Sequence, residues 1–202
     1  MIKQKSSIVR KGYDKIAEKY HKQRSKHSSK SLLTKFSKLL PKGSTVLDLG
    51  CGAGVPVTKF FVQKGYEVTG IDFSKSMLKL ARKNVPEARF IKMDITKMKF
   101  KPNAFDGAVS FYAIIHIQRE KHAGIYKKLH DTLKPDAIIL FNPGTDNWEG
   151  YEEDFLGARM FWSQYDPKKT LKIIKNAGFE IIWSKILKLP EKQFWILARN
   201  KK

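Results

Sequence analysis

The segment VLDLGCGAG, from Val46 to Gly54, sets one carboxylate, Asp48, and three glycines at the end of a short apolar run. Glycine tolerates positive φ and lets a ligand approach the main chain closely. A tight strand-to-helix connection would use the same residues, so the loop needs company before it means a binding site. Its glycines read GxGxG, with Val55 where the dinucleotide pattern GxGxxG has its third glycine, which argues against pyrophosphate binding. Asp72 closes the run EVTGID, where a carboxylate can accept both hydroxyls of a ribose, or can cap a helix, although Ser74 is at hand for capping. Asp94 closes RFIKMD, where it can accept from an adenine amino group or simply serve a turn. Three acidic strand ends around a glycine loop suit a nucleoside-bearing ligand.

The elements that must hold these residues show in the hydrophobic pattern. Val9, Tyr13, Ile16, Ala17 and Tyr20 recur at helical spacing and predict an amphipathic helix over 6–23, followed by a second through Leu32, Leu33, Phe36, Leu39 and Leu40. From Thr45 the pattern alternates strand-like runs (TVLDL, EVTGI, RFIKM, DGAVSF, AIILF) with helical segments near 54–64, 74–84 and 119–133. Strand-helix-strand units of this size imply parallel pairing and a doubly wound α/β sheet. The rhythm stops at 142–165, which reads as an inserted cap. Asp166, Pro167 and Gly178 then bracket a well-marked helix, and FEIIWSKILKL with QFWILAR predicts a terminal hairpin. One domain is expected, divided into N-terminal helices (1–44), a ligand-binding core (45–141), a cap (142–165) and a final helix with hairpin (166–202).

Composition limits the classes open to the chain. Its 202 residues, 42% apolar and 12% aromatic, are globular values. One cysteine and five histidines, without CxxC or HxxxH spacing, offer neither a disulfide framework nor a clustered metal site, so no metal is expected. With no apolar stretch of signal-peptide or membrane-spanning length, a cytoplasmic location is expected. The net charge is +21, and residues 1–45 carry 13 Lys/Arg against Asp14 and Glu18. Such a start could follow phosphate backbones or an anionic membrane surface, yet lysines are spread over nearly every helix rather than grouped with aromatics.

VLDLGCGAG, GIDFSKSMLKLA, RFIKMDI and FDGAVSFYAIIHI together resemble the successive motifs of class I S-adenosylmethionine-dependent methyltransferases of the small-molecule type. The resemblance runs from about Tyr13 to Arg199. It implies a Rossmann-like seven-stranded sheet of six parallel strands with the last strand antiparallel. It also implies S-adenosylmethionine as cofactor and S-adenosylhomocysteine as product. Asp48 and the loop Gly50, Cys51, Gly52 and Gly54 would hold the methionine part. Asp72, with Phe73 and Met77 after it, would hold the ribose side, and Asp94 with Ile95 the adenine. Ser110 and Phe111 would border the methyl donor. YDKIAEKY resembles a helix folded over the cofactor, making Tyr13 and Tyr20 candidate contacts or plain packing residues. Where relatives read LKPGG, this chain has LKPDA (Leu133 to Ala137), a turn expected to lose the usual glycine geometry.

Methyl transfer from a sulfonium is an in-line displacement governed by positioning, and a general base matters only where the acceptor must lose a proton. His116 is the base candidate, the alternative being a histidine that packs or orients. His122 and His130 are expected on the solvent side. The stretch Trp148 to Tyr165 holds six aromatics, and Trp148, Phe161, Trp162 and Tyr165 are its candidate substrate contacts, with Glu149, Glu152, Glu153 and Asp154 nearby to suit a cationic acceptor. A small-molecule acceptor leads. An RNA acceptor met by the basic start, and a sensor that binds S-adenosylmethionine without transferring methyl groups, are the alternatives.

Overall fold

The computed structural model describes residues 2–24, 30–188 and 192–202. Two helices, α1 (Ile2–Arg24) and α2 (Lys30–Ser37), precede an alternating core of β1 (Thr45–Leu49), α3 (Val57–Gln63), β2 (Glu67–Asp72), α4 (Lys75–Asn84) and β3 (Arg89–Lys92). It continues through β4 (Phe105–Ser110), α5 (His122–Thr132) and β5 (Leu133–Phe141). A separate pair, β6 (Trp148–Phe155) and β7 (Ala158–Gln164), leads to α6 (Pro167–Asn176), β8 (Phe179–Lys188) and β9 (Lys192–Asn200).

The main sheet runs β3-β2-β1-β4-β5-β9-β8. β1 pairs parallel with β2 and β4, β2 with β3, and β4 with β5, while β9 runs antiparallel to both β5 and β8. Six strands therefore share one direction and the last opposes them, as the motif resemblance implied. Strand order reverses beside β1, and the carboxyl ends of β1, β2 and β4 open there into a crevice. Leu129, Ile125 and Ile174 close one face of the sheet, and Leu33, Phe36 and Phe61 the other. No described helix is long and apolar enough to cross a membrane.

Residues 142–165, expected as an inserted cap, form a β-hairpin from β6 and β7. Its loop, Leu156-Gly157, has positive φ at both positions (57° and 99°), the geometry that matches strand twist in two-residue hairpins. α1 lies along β7, and Val9, Ile16, Ala158, Met160 and Phe161 make a small core of their own. Part of the basic N-terminus is used here. Lys15 and Lys19 donate to the carbonyls of Gly157 (2.7 Å) and Leu156 (3.1 Å), and Lys5 pairs with Glu149 at 2.7 Å.

Three local expectations are corrected. Asp136 adopts φ 58°, so LKPDA keeps a left-handed turn without glycine; an exposed aspartate tolerates that region better than most residues. His122 is buried, with Nε2 bonded to the Ile117 carbonyl at 2.8 Å and its ring edge-on to Tyr165. His130 is half-buried, packing edge-on against Phe179 with Nε2 at 3.1 Å from the Lys201 carbonyl. The Asp166 cap on Lys169 N–H (2.9 Å) and the positive φ of Gly178 bracket α6 as read from sequence.

Candidate functional site

The floor of the crevice is the loop after β1. Gly50 and Cys51 N–H both donate to the Ile71 carbonyl, at 2.8 and 3.0 Å, which clamps the loop to β2. Gly50 has φ 73°, and a Cβ there would stand 2.2 Å from the Ala113 Cβ. Gly52 differs. Its φ is 53°, a Cβ would meet nothing within 4 Å, and its N–H donates to Asp72 Oδ2 at 3.0 Å. The second Asp72 oxygen accepts from Ser74 N–H at 2.8 Å, while the Ser74 side chain caps α4. Burial raises the Asp72 carboxyl to about 6 although these N–H groups favour its charge.

Asp48 lies below the loop, 1% exposed, and takes the Thr58 hydroxyl at 2.6 Å. Burial, opposed by that bond and reinforced by the Asp72 charge, pushes it up to about 7. The Cys51 thiol is pushed up by burial and by both carboxylates. Gly54 packs against Phe90 and Val85 instead of facing the crevice.

One wall comes from Met93, Asp94, Ile95 and Thr96, and a second from Phe73 and Met77. Asp94 Oδ1 accepts from the Thr96 N–H and hydroxyl, both at 2.8 Å. Opposite stand Phe111, Tyr112 and Ala113. Tyr112 has φ 59°, a costly conformation for an aromatic residue. It is held by its N–H to Asn142 Oδ1 (2.7 Å), its hydroxyl to Gln193 Oε1 (2.6 Å) and the Arg24 guanidinium 3.9 Å above its ring.

The roof is α1, which contributes Lys5, Ser6, Val9, Tyr13 and Tyr20. The Tyr13 hydroxyl sits 2.7 Å from His116 Nε2, and His116 Nδ1 sits 2.9 Å from the Phe161 carbonyl oxygen. A carbonyl can only accept, so the neutral imidazole carries its hydrogen on Nδ1 and takes the Tyr13 O–H at Nε2. Burial drives His116 down to about 4, and the Trp162 ring lies 4.2 Å from the imidazole.

The crevice beneath α1 has a volume of about 90 Å³ and opens to solvent at its mouth. Among the sequence candidates it brings together Tyr13, Tyr20, Gly50, Gly52, Asp72, Phe73, Met77, Asp94, Ile95, Phe111 and His116. Asp48, Cys51 and Gly54 lie behind the lining. Ser110 gives its hydroxyl to the Leu49 carbonyl at 3.1 Å and does not line the space.

None of the four aromatic substrate candidates lines it either. Phe161 and Trp162 are packed behind His116, Trp148 is 43% exposed, and Tyr165 lies beside Arg119 and His122. The hairpin carboxylates are likewise outside: Glu149 is taken by Lys5 and by the Ser163 hydroxyl at 2.6 Å, and Glu152, Glu153 and Asp154 are exposed. Residues the sequence reading missed include Lys5, Ser6, Val9, Tyr112, Gln118 and Lys121. Val9 shares the helical stripe of Tyr13, which was an available signal; the others are assembled by tertiary contacts alone.

Residues 46–136 match the family model described as a methyltransferase domain, Methyltransf_25. The chain is 32% identical over 163 residues to a sterol 24-C-methyltransferase of Pneumocystis carinii, covering 72% of this chain and 42% of that protein. It is 27% identical over 175 residues to a cycloartenol-C-24-methyltransferase of Arabidopsis thaliana, covering 79% and 51%. The chain thus spans about half the length of these curated relatives. Among solved structures, the 1,6-didemethyltoxoflavin-N1-methyltransferase of Burkholderia thailandensis, bound to its namesake substrate and S-adenosylhomocysteine, superposes with a TM-score of 0.80 at 16% identity. The superposition covers 100% of this chain and 91% of that one, a likeness of fold.

Proposed function

We propose, from the premise that this chain belongs to the class I S-adenosylmethionine-dependent methyltransferases, that it transfers a methyl group from S-adenosylmethionine to a small-molecule acceptor held beneath α1. The observation that carries the reading is Asp72: a buried carboxylate at the carboxyl end of β2, lining the crevice and held between the N–H groups of Gly52 and Ser74. A ribose diol can donate two hydrogen bonds to such a group without disturbing either backbone bond. The open space at Gly52 leaves room for an amino-acid moiety against the main chain, and Asp94 with Ile95 and Met93 forms a slot with a polar end for a purine.

When bound, S-adenosylmethionine supplies an electrophilic methyl on a sulfonium that becomes neutral as the methyl leaves. The chain's own part is to fix both partners and keep water out. Holding reactants in attack geometry accounts for roughly 7 kcal/mol or more in well-oriented systems. α1 supplies the cover, tied to the hairpin through Lys5, Lys15 and Lys19. Carboxylates among the lining residues are confined to Asp72 and Asp94, so the acceptor end of the crevice offers aromatic rings, Tyr13 and His116 rather than negative charge.

Calorimetry of the full chain with S-adenosylmethionine should give micromolar or tighter binding that Asp72→Ala weakens at least tenfold. Binding indifferent to that change would sink the site assignment. A labelled-methyl screen against cell extract separated by size should place the label in the low-molecular-mass fraction; label in the RNA fraction would replace the acceptor class.

A further inference from the structure

We infer that Tyr13 receives the acceptor's proton during methyl transfer and passes its own to His116, so the acceptor is one whose reacting oxygen or nitrogen carries a hydrogen it must lose. The inference rests on the methyltransferase reading above.

The Phe161 carbonyl fixes the tautomer. With the hydrogen on Nδ1, His116 presents a lone pair at Nε2, and the Tyr13 hydroxyl, 2.7 Å away, donates its only proton there. What Tyr13 then offers is an oxygen that can only accept, with the neighbouring Tyr20 hydroxyl paired to it and one lone pair left for the crevice. Asp72 holds the Gly52 and Ser74 N–H groups and Asp94 Oδ1 holds Thr96, and their remaining lone pairs are those assigned above to the ribose and the purine. Asp72 and Asp94 also stand at the nucleoside side of the crevice, whereas Tyr13 hangs from the roof.

The step balances. The acceptor's X–H proton moves to Tyr13 Oη as the Tyr13 proton moves to His116 Nε2, and the freed X–H electron pair forms the bond from X to methyl. The pair of the broken S–CH3 bond remains on sulfur. His116 gains the positive charge that leaves the sulfonium, so the net charge of the closed site is unchanged, and the imidazolium releases its proton to water afterwards. Burial keeps His116 neutral before the step and also disfavours the imidazolium formed in it, so uptake of the proton depends on groups that stabilise that cation. The Trp162 ring, 4.2 Å from the imidazole, presents a π face that favours the cationic form once it appears.

Two experiments on the full chain test this. Nitrogen NMR of 15N-histidine-labelled protein, with and without S-adenosylhomocysteine, should show neutral His116 with hydrogen on Nδ1 and an Nε2 resonance that Tyr13→Phe shifts. The opposite tautomer overturns the proposal. Turnover is then measured with the matching unlabelled small-molecule fraction of the extract as acceptor and methyl-labelled S-adenosylmethionine as donor. Tyr13→Phe should lower kcat by about a hundredfold, the usual worth of a positioned proton acceptor, while affinity for S-adenosylmethionine stays within twofold. His116→Gln, whose amide oxygen can hold the Tyr13 hydroxyl but cannot take up a proton, should fall as far. Should Tyr13→Phe lose cofactor affinity in step with turnover, Tyr13 is a cofactor contact; should His116→Gln keep the wild-type kcat, His116 only positions Tyr13. Either result overturns the relay. Wild-type protein that binds S-adenosylmethionine yet labels no fraction overturns the methyltransferase reading instead, and an unchanged histidine spectrum tells the two failures apart.

Discussion

The Asp14 carboxylate accepts the Ser74 hydroxyl at 2.7 Å and the Ser76 N–H at 3.1 Å, both through the same oxygen. Ser74 is the residue whose own N–H holds Asp72. The roof helix and Asp72 therefore share one partner, and Asp14 lies next in sequence to Tyr13, whose hydroxyl lines the crevice.

Asp14→Ala should loosen α1 more than it destabilises the chain. Losing a charge-assisted cap on two donors costs about 1 to 2 kcal/mol. Amide exchange across α1 should accelerate by tenfold or more while β1 and β4 stay protected. Equal acceleration in helix and sheet would show that α1 does not open on its own.

The raised carboxyls of Asp72 and Asp48 should make S-adenosylmethionine binding proton-linked. Their folded-state carboxyls stand near 6 and 7, above the ordinary value of 3.8. A raised folded pKa stabilises the fold below the unfolded value, and that contribution is lost as pH rises through the folded one. From these two groups, stability falls between about pH 4 and pH 7. A ribose diol and a nearby sulfonium favour the charged Asp72, so binding should release protons near pH 6 and tighten as pH rises from 5 to 7. Calorimetry in two buffers of different ionisation enthalpy measures the release. Heats independent of buffer at pH 6 would contradict it.

Gly50 and Gly52 should separate fold from ligand binding. Alanine at Gly50 puts a Cβ 2.2 Å from Ala113 at φ 73°, so the loop or the segment after β4 must shift, and a loss of about 3 kcal/mol or more is expected. Alanine at Gly52 meets no atom and carries only the strain of φ 53°, about 1 kcal/mol. Its methyl nonetheless occupies open space beside Asp72, so affinity for S-adenosylmethionine should fall at least tenfold with the melting temperature nearly kept. Comparable loss of both in the two variants would remove the distinction.

The parts of this site that were legible in the sequence are short-range. A glycine loop after an apolar run, and aspartates at the next two strand ends, are positioned by β1, β2 and β3 themselves, so pattern and place coincide. Ser110 shows the limit, because which way a strand-end hydroxyl turns depends on the neighbouring strand's carbonyl. The aromatic run from Trp148 was read as a substrate surface because its residues had to pack onto something. That something proved to be α1 and His116, contacts more than a hundred residues away for Tyr13 and 45 for Phe161, which no local window contains. His122 misled for a related reason: as the first residue of α5 its side chain reaches back to Ile117, where helical periodicity does not apply.

Ser163 tests whether the hairpin holds His116 in register. Fully buried on β7, its hydroxyl donates to Glu149 Oε2 at 2.6 Å and accepts the Arg119 N–H at 2.8 Å, joining β6, β7 and the turn before α5. Ser163→Ala leaves the partly buried Arg119 N–H without its partner and Glu149 with Lys5 alone, a cost of about 1 to 3 kcal/mol. For a chain of this size that is a fall of roughly 2 to 10 °C in melting temperature. Phe161, two residues earlier, carries the carbonyl that holds His116 Nδ1, so the same change should broaden the His116 nitrogen resonances. A lower melting temperature with an undisturbed His116 spectrum would mean that β7 is braced well enough by α1 alone, and that Ser163 contributes to stability without setting the geometry of the site.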